Sequence, residues 1–183
     1  MTRIADLSPD KMTPEQRRVH DMIASGPRGV VQGPLRVWLH SPALAERAQA
    51  LGAFCRYGSS LPAKLSELAI IVTGAYWRAG FEWHIHAPIA IKAGIAPAAV
   101  EAIRTGRDPG FANEDEAAVH AFARELLQTR TVSEATFARA RAALGELAVV
   151  DLVGVLGYYG FISMTINAFA VPLPDGEPDP FAA

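Results

Sequence analysis

Glu67, Glu82 and His86 fall within one Ala-rich, helix-prone stretch, ELAIIVTGAYWRAGFEWHIHAPIAIKAG, and their types and spacing suit acid/base chemistry. Glu82 and His86 are four residues apart, so on a helix they share a face and their side chains meet. A carboxylate one turn from an imidazole holds the ring's tautomer and raises its pKa, leaving a proton donor or acceptor that works near neutral pH. Glu67 lies fifteen residues before Glu82 and approaches only if the chain folds back between them, which Arg78-Ala79-Gly80 permits. Burying three such groups is costly unless they satisfy one another. Spacing alone does not separate an acid/base site from a polar pair that closes a helix interface.

His84 adds a second imidazole to the segment, but residues two apart on a helix point about 200° from each other, so only His86 shares the Glu82 face. A metal site would need a distant ligand such as His40 or His120, and no metal is expected. Trp83 is a candidate pocket wall. Tyr158, Tyr159 and Asn167 are candidate hydrogen-bonding groups for a small ligand. Cys55 is the single cysteine, which excludes an internal disulfide, a CxxC redox pair and a cysteine-based zinc site. With no base beside it in sequence, it reads as a small buried hydrophobe.

The elements that must position these residues read as helices throughout. Thr13-Pro14 with Gln16 forms a helix start, and a helix is expected from Pro14 to Ser25, stopped by Gly26-Pro27-Arg28-Gly29. A loop through Gly33-Pro34 leads to Arg36-Val37-Trp38-Leu39-His40. Ser41-Pro42 starts the next helix, and Ser60-Leu61-Pro62 opens a third whose Leu65, Leu68, Ile71, Val72 and Ala75 face a core. A helix from Phe81 to Ala93 carries Pro88, which frees the His84 carbonyl and should kink it, and Gly94 suits a left-handed cap. Further helices run from Pro97 to about Thr105, from Asn113 to about Gln128, from Ser133 to Leu144 and from about Leu147 to Ala168. Glu67-Leu68-Ala69-Ile70-Ile71 recurs as Glu146-Leu147-Ala148-Val149-Val150, a weak internal echo.

At 183 residues, half of them apolar, the chain is long enough for one domain with a sizeable core. An extended N-terminal segment, about 1–13, and a proline-rich tail, about 171–183, flank that domain. A net charge of −2 lacks the basic footprint of a nucleic-acid binder. The N-terminus has no apolar core of signal-peptide length, so a cytoplasmic location is the default. The longest apolar run, Leu147 to Met164, is broken by Asp151, three glycines and two tyrosines, and reads as a buried helix and not a membrane span. Ala-rich helices leave little bulk to fill a monomeric core, so a homo-oligomer (dimer, trimer or hexamer) is expected.

The stretch from Leu61 to Gly94 resembles the carboxymuconolactone decarboxylase family, whose all-α fold also houses the alkylhydroperoxidase AhpD. The likeness is carried by Leu65-Ser66-Glu67-Leu68-Ala69, Tyr76-Trp77, Glu82-Trp83, His86, Ala90 and Ala93-Gly94-Ile95, with the Pro42 helix and the segment Asn167 to Pro174 in support. The resemblance implies an AhpD-like bundle of about seven to nine helices. In the AhpD branch a glutamate, a CxxC pair and a histidine relay protons for peroxide reduction. Glu67 and His86 match the outer members, while the cysteine positions fall on Ala79 and Glu82, so peroxidase activity is not expected. The resemblance implies instead a cofactor-independent carboxy-lyase or isomerase of aromatic catabolism, acting on a small carboxylated lactone or related acid. His86 would protonate the dienolate left by CO₂ loss, Glu82 would orient or charge it, and Glu67 would complete the relay. A conjugated lactone carbonyl would hold the released electrons without a cofactor. An anionic substrate also needs a cation, for which Arg56, Arg78 and Lys92 are candidates, so Trp83, Tyr158 and Arg78 stand as expected substrate contacts. Two other readings remain open: a non-catalytic helical binding or oligomerisation module, and a redox protein working through Cys55 alone.

Overall fold

The computed structural model describes residues 2–174 and 176–182; Met1, Asp175 and Ala183 of the expected terminal segments lie outside the described residues. The elements among them are helices: α1 (Pro14–Ser25), α2 (Pro34–Trp38), α3 (Pro42–Ala53), α4 (Ala63–Trp77), α5 (Gly80–Lys92), α6 (Pro97–Arg104), α7 (Glu114–Thr129), α8 (Glu134–Leu144) and α9 (Glu146–Phe169). A short 3-10 turn, Pro9–Lys11, precedes α1, and a π-helical turn, Phe54–Gly58, follows α3. This is the all-α arrangement that the sequence predicts.

Helix α4 is the axis of the fold. Every residue from Leu65 to Gly74 is buried, because α5, α7, α9 and α6 pack around it on different sides. Such a helix needs apolar residues all round, and the only ionisable side chain in that run, Glu67, must find a buried partner. Helix α9 shares the core through Leu152, Val155, Leu156, Tyr159 and Ile162. It is long and apolar enough to cross a membrane by length and composition, yet most of that stretch is buried within the domain, so here it serves as a core helix. An ion pair from Lys64 to the buried Glu116 ties the start of α4 to α7.

Several helix boundaries follow from their caps. Thr13 and Gln16 form a reciprocal capping box ahead of Pro14, satisfying two of the amides that a helix start leaves unpaired. Helix α4 ends on Arg78 in the left-handed conformation, φ 49°. The Arg78 amide donates to the Ala75 carbonyl and the Ala79 amide to the Gly74 carbonyl, the paired bonds of a Schellman ending. That turn sends α5 back along α4, which brings residues from the two helices face to face.

Helix α2 is the main element that the sequence reading leaves as loop. Five residues show no helical periodicity, and its stability comes from elsewhere. The Trp38 ring stacks on Phe161 at 4.7 Å, and its indole N–H donates to Thr165 Oγ1 at 3.0 Å. The proline-rich tail is held by contacts within the chain. Phe181 is buried against Trp83, while Arg78 and Arg104 donate to the Phe181 and Pro180 carbonyls, so the tail packs on its own chain. The internal echo does not carry over to the environment, since Glu67 is buried and Glu146 is exposed at the start of α9.

Candidate active site

The return of α5 along α4 places His86 between two carboxylates. Its Nδ1 lies 2.7 Å from Glu67 Oε2, across the helix pair. Its Nε2 lies 3.0 Å from Glu82 Oε1, one turn back on α5. The three residues are only 6, 5 and 4 % exposed for Glu67, Glu82 and His86, so water does little to screen them. The sequence placed Glu82 and His86 on one helical face; the Schellman turn supplies the third member.

Two opposed effects set the state of the imidazole. Burial disfavours its charged form, but the charge of Glu82, hydrogen bonds to both carboxylates and the charge of Glu67 outweigh it and raise the pKa from 6.5 to about 9. At neutral pH His86 is therefore an imidazolium, its Nδ1–H donating to Glu67 and its Nε2 side ion-paired with Glu82. This orientation is fixed from both sides, as is usual when hydrogen-bond partners choose the ring's protonation state. Tyr159 stands edge-on to the ring with centroids 5.2 Å apart, and its hydroxyl is held well above its usual pKa, first by burial and then by Glu82 and Glu67.

A cleft of about 60 Å³ opens beside the Glu82 and His86 side of this cluster, with Arg28, Arg56, Tyr158 and Tyr159 among its walls. That volume holds roughly four water-sized groups, enough for the reacting end of a small molecule. Glu67 is not among the walls; it sits behind the ring. With His86 charged, three positive groups meet two carboxylates, so the cleft favours a further anion. The Arg28 guanidinium donates to the Tyr158 hydroxyl at 3.2 Å, leaving its buried Nε without a partner among the described residues. Burial raises the Tyr158 pKa to about 12, against the pull of Arg28, so this hydroxyl stays protonated.

Of the expected substrate contacts, Tyr158 lines the cleft, and so does Arg56 among the expected cations. Trp83 and Arg78 do not. Trp83 lies a residue beyond Glu82 on α5, turned about 100° away, and packs edge-to-face on Phe181 at 5.5 Å. Arg78 caps α4 and holds the tail, and Lys92 is an exposed residue outside the cleft. His84 approaches Glu177 at 3.8 Å, away from His86. Asn167 donates to the Trp77 carbonyl at 2.7 Å, closing the end of α4. Cys55 is fully buried outside the cleft lining, and burial raises its thiol pKa. Sequence reasoning missed Arg28, because only its tertiary contact to Tyr158 brings that loop over the site.

Residues 42–125 match the carboxymuconolactone decarboxylase family, which spans the α4–α5 hairpin and both glutamates and the histidine. Across the whole chain the fold is similar to that of several solved structures. One is an uncharacterized peroxidase-related protein from Silicibacter sp. TM1040, at 14 % identity and TM-score 0.76, covering 95 % of this chain and 92 % of the other. A second, described as an alkylhydroperoxidase AhpD core from Ralstonia eutropha JMP134, shares 14 % identity at TM-score 0.75, covering 95 % and 93 %. A third is a debrominase in complex with 2,3,4-tribromopyrrole, at 17 % identity and TM-score 0.74, covering 94 % and 91 %. No curated protein matches the sequence at a significant level. The match to the carboxymuconolactone decarboxylase family covers residues 42–125, the fold of the chain is AhpD-like, and the sequence holds no CxxC pair, since Cys55 is its only cysteine.

Proposed function

We propose that the protein is a cofactor-independent lyase of the carboxymuconolactone decarboxylase type, acting on a small carboxylated lactone or a related acid. The observation that carries this reading is the imidazolium clamped between two buried carboxylates, one of which borders a cleft flanked by Arg28 and Arg56. The arginines would hold the substrate's negative charge. As the bond to the carboxyl carbon breaks and CO₂ leaves, the electron pair moves into the conjugated lactone carbonyl and forms a dienolate. A proton then returns to carbon. Because Glu82 is ion-paired with His86 Nε2 at 3.0 Å and borders the cleft, the transfer runs through Glu82, with His86 as the proton store and Glu67 holding the far nitrogen. Water restores the proton afterwards. Positioned proton transfer of this kind contributes about 10²–10⁴-fold in rate.

The test is a screen of carboxylated unsaturated lactones for CO₂ release by the wild type and Glu82→Gln. The reading expects turnover that falls by at least about hundredfold in the variant, with helical content unchanged by circular dichroism. Equal turnover would overturn it. The small volume of the cleft favours a second reading, a non-catalytic helical binding or oligomerisation module. That reading wins if acids bind at the cleft in the wild type and none is consumed.

A further inference from the structure

A large cavity lies apart from the acid/base cleft and shares no lining residue with it. It is about 640 Å³, formed between α4, α6 and α7 and walled on one side by Phe181 and Ala182 of the tail. This is the size of a small-molecule site, where an apolar wall and a few polar groups normally converge. The apolar wall is present in Val72, Ala75, Ile103, Leu127 and Phe181.

The polar groups are of one sign. Arg78, Arg104, Arg107 and Arg124 all line the cavity, and among the described lining residues no carboxylate occurs. Their charges are unequally engaged. Arg104 is held by Glu101 through two 2.8 Å bonds, and Arg78 by the Phe181 carbonyl. Arg107 donates only its Nε, to Thr105 Oγ1 at 2.9 Å, and Arg124 has no hydrogen-bond or ion-pair partner among the described residues. The nearby Asp108 and Glu125 line an adjoining hollow and are occupied by the Gly110 amide and by Ser133. His120, between the two hollows, is driven down to about pH 4, first by burial and then by Arg124, so it is neutral at pH 7 and offers a hydrogen bond without adding charge.

We propose that this cavity is a second ligand site, taking an organic carboxylate with a flat apolar body. Its head meets Arg107 and Arg124, and its body lies on Ile103, Leu127 and Phe181. Free anions such as phosphate lack the apolar half of the match. A guanidinium recognises a carboxylate through paired N–H donors, and Arg107 and Arg124 still have donors to give.

The probe is 2-naphthoate, titrated calorimetrically into the full-length protein beside the neutral 2-naphthylmethanol. The site predicts one saturable event per chain, about tenfold or more weaker for the neutral analogue. Arg124→Gln and Arg107→Gln should each weaken 2-naphthoate by about tenfold. Both side chains are exposed, so the thermal midpoints of these variants should match the wild type and keep the comparison interpretable. Arg28→Gln, in the acid/base cleft, should leave the affinity unchanged. The proposal is overturned if no saturable binding occurs, if the neutral analogue binds equally, or if affinity follows Arg28 and not Arg107 and Arg124.

Discussion

Raising the pH from 6 to 10 should cost the folded protein about 3 kcal/mol through His86 alone. Its pKa is 6.5 when exposed and about 9 in the folded chain, a gap of about two and a half units at about 1.4 kcal/mol each. Because the folded value is raised, the stabilisation is fully present below pH 6.5. It is lost progressively as the pH rises through 9, since the folded state holds a proton there that the unfolded state has released. Against a usual stability of about 5–15 kcal/mol, the loss is large enough to measure. Urea unfolding of wild type and Glu67→Gln at pH 6 and at pH 10 isolates the part of it that Glu67 contributes, because other titrating groups are common to both chains. In Glu67→Gln the amide oxygen still accepts the Nδ1 proton, so the fold is kept, but one of the two charges that hold the imidazolium is gone while that of Glu82 remains. The wild type should lose more stability than the variant over this interval, and ¹³C NMR of the His86 ring should titrate near pH 9. Parallel losses in the two chains, or a ring that titrates at or below 6.5, would refute the reasoning.

Other consequences are quickly checked. In Gly52→Ala, a Cβ would stand 2.0 Å from the Tyr158 hydroxyl and 2.4 Å from an Arg28 nitrogen, so the pair that walls the cleft must move. A loss of about 1–3 kcal/mol in urea melts is expected, and turnover on any acid found in the screen should fall with it. Phe181→Ala removes a buried ring from Trp83 and should cost about 3 kcal/mol, seen in thermal or urea unfolding together with faster proteolysis of the tail. Cys55, fully buried with a raised pKa, should resist alkylation in native protein and react once the chain is unfolded; rapid native alkylation would revive the single-cysteine redox reading.

The sequence makes legible whatever is local. Prolines at 14, 42 and 97 open helices where expected, and Gly94 closes α5 with φ 106°. The Glu82 and His86 pair follows from helical spacing alone. Glu67 needed one further inference, a tight reversal at Arg78, which requires a left-handed residue where no glycine signals it. What sequence could not reveal depends on contacts across the chain. Arg28 reaches Tyr158 from 130 positions away, α2 exists because Trp38 stacks on Phe161, and the tail is held by arginines on α4 and α6. The same absence of local signal displaced Trp83 and Arg78 from the cleft to the tail, since a single residue's shift along α5 or its preceding turn changes the face it presents.

The central claim, a proton relay that exchanges with substrate through Glu82, is tested most directly by proton NMR of lactone-acid turnover in D₂O. The account predicts one deuterium at the carbon vacated by CO₂ in the wild type, and its loss by at least about hundredfold in Glu82→Gln with the fold intact. Wild-type rates of deuterium delivery in Glu82→Gln, or no turnover of any lactone acid by the wild type, would contradict it.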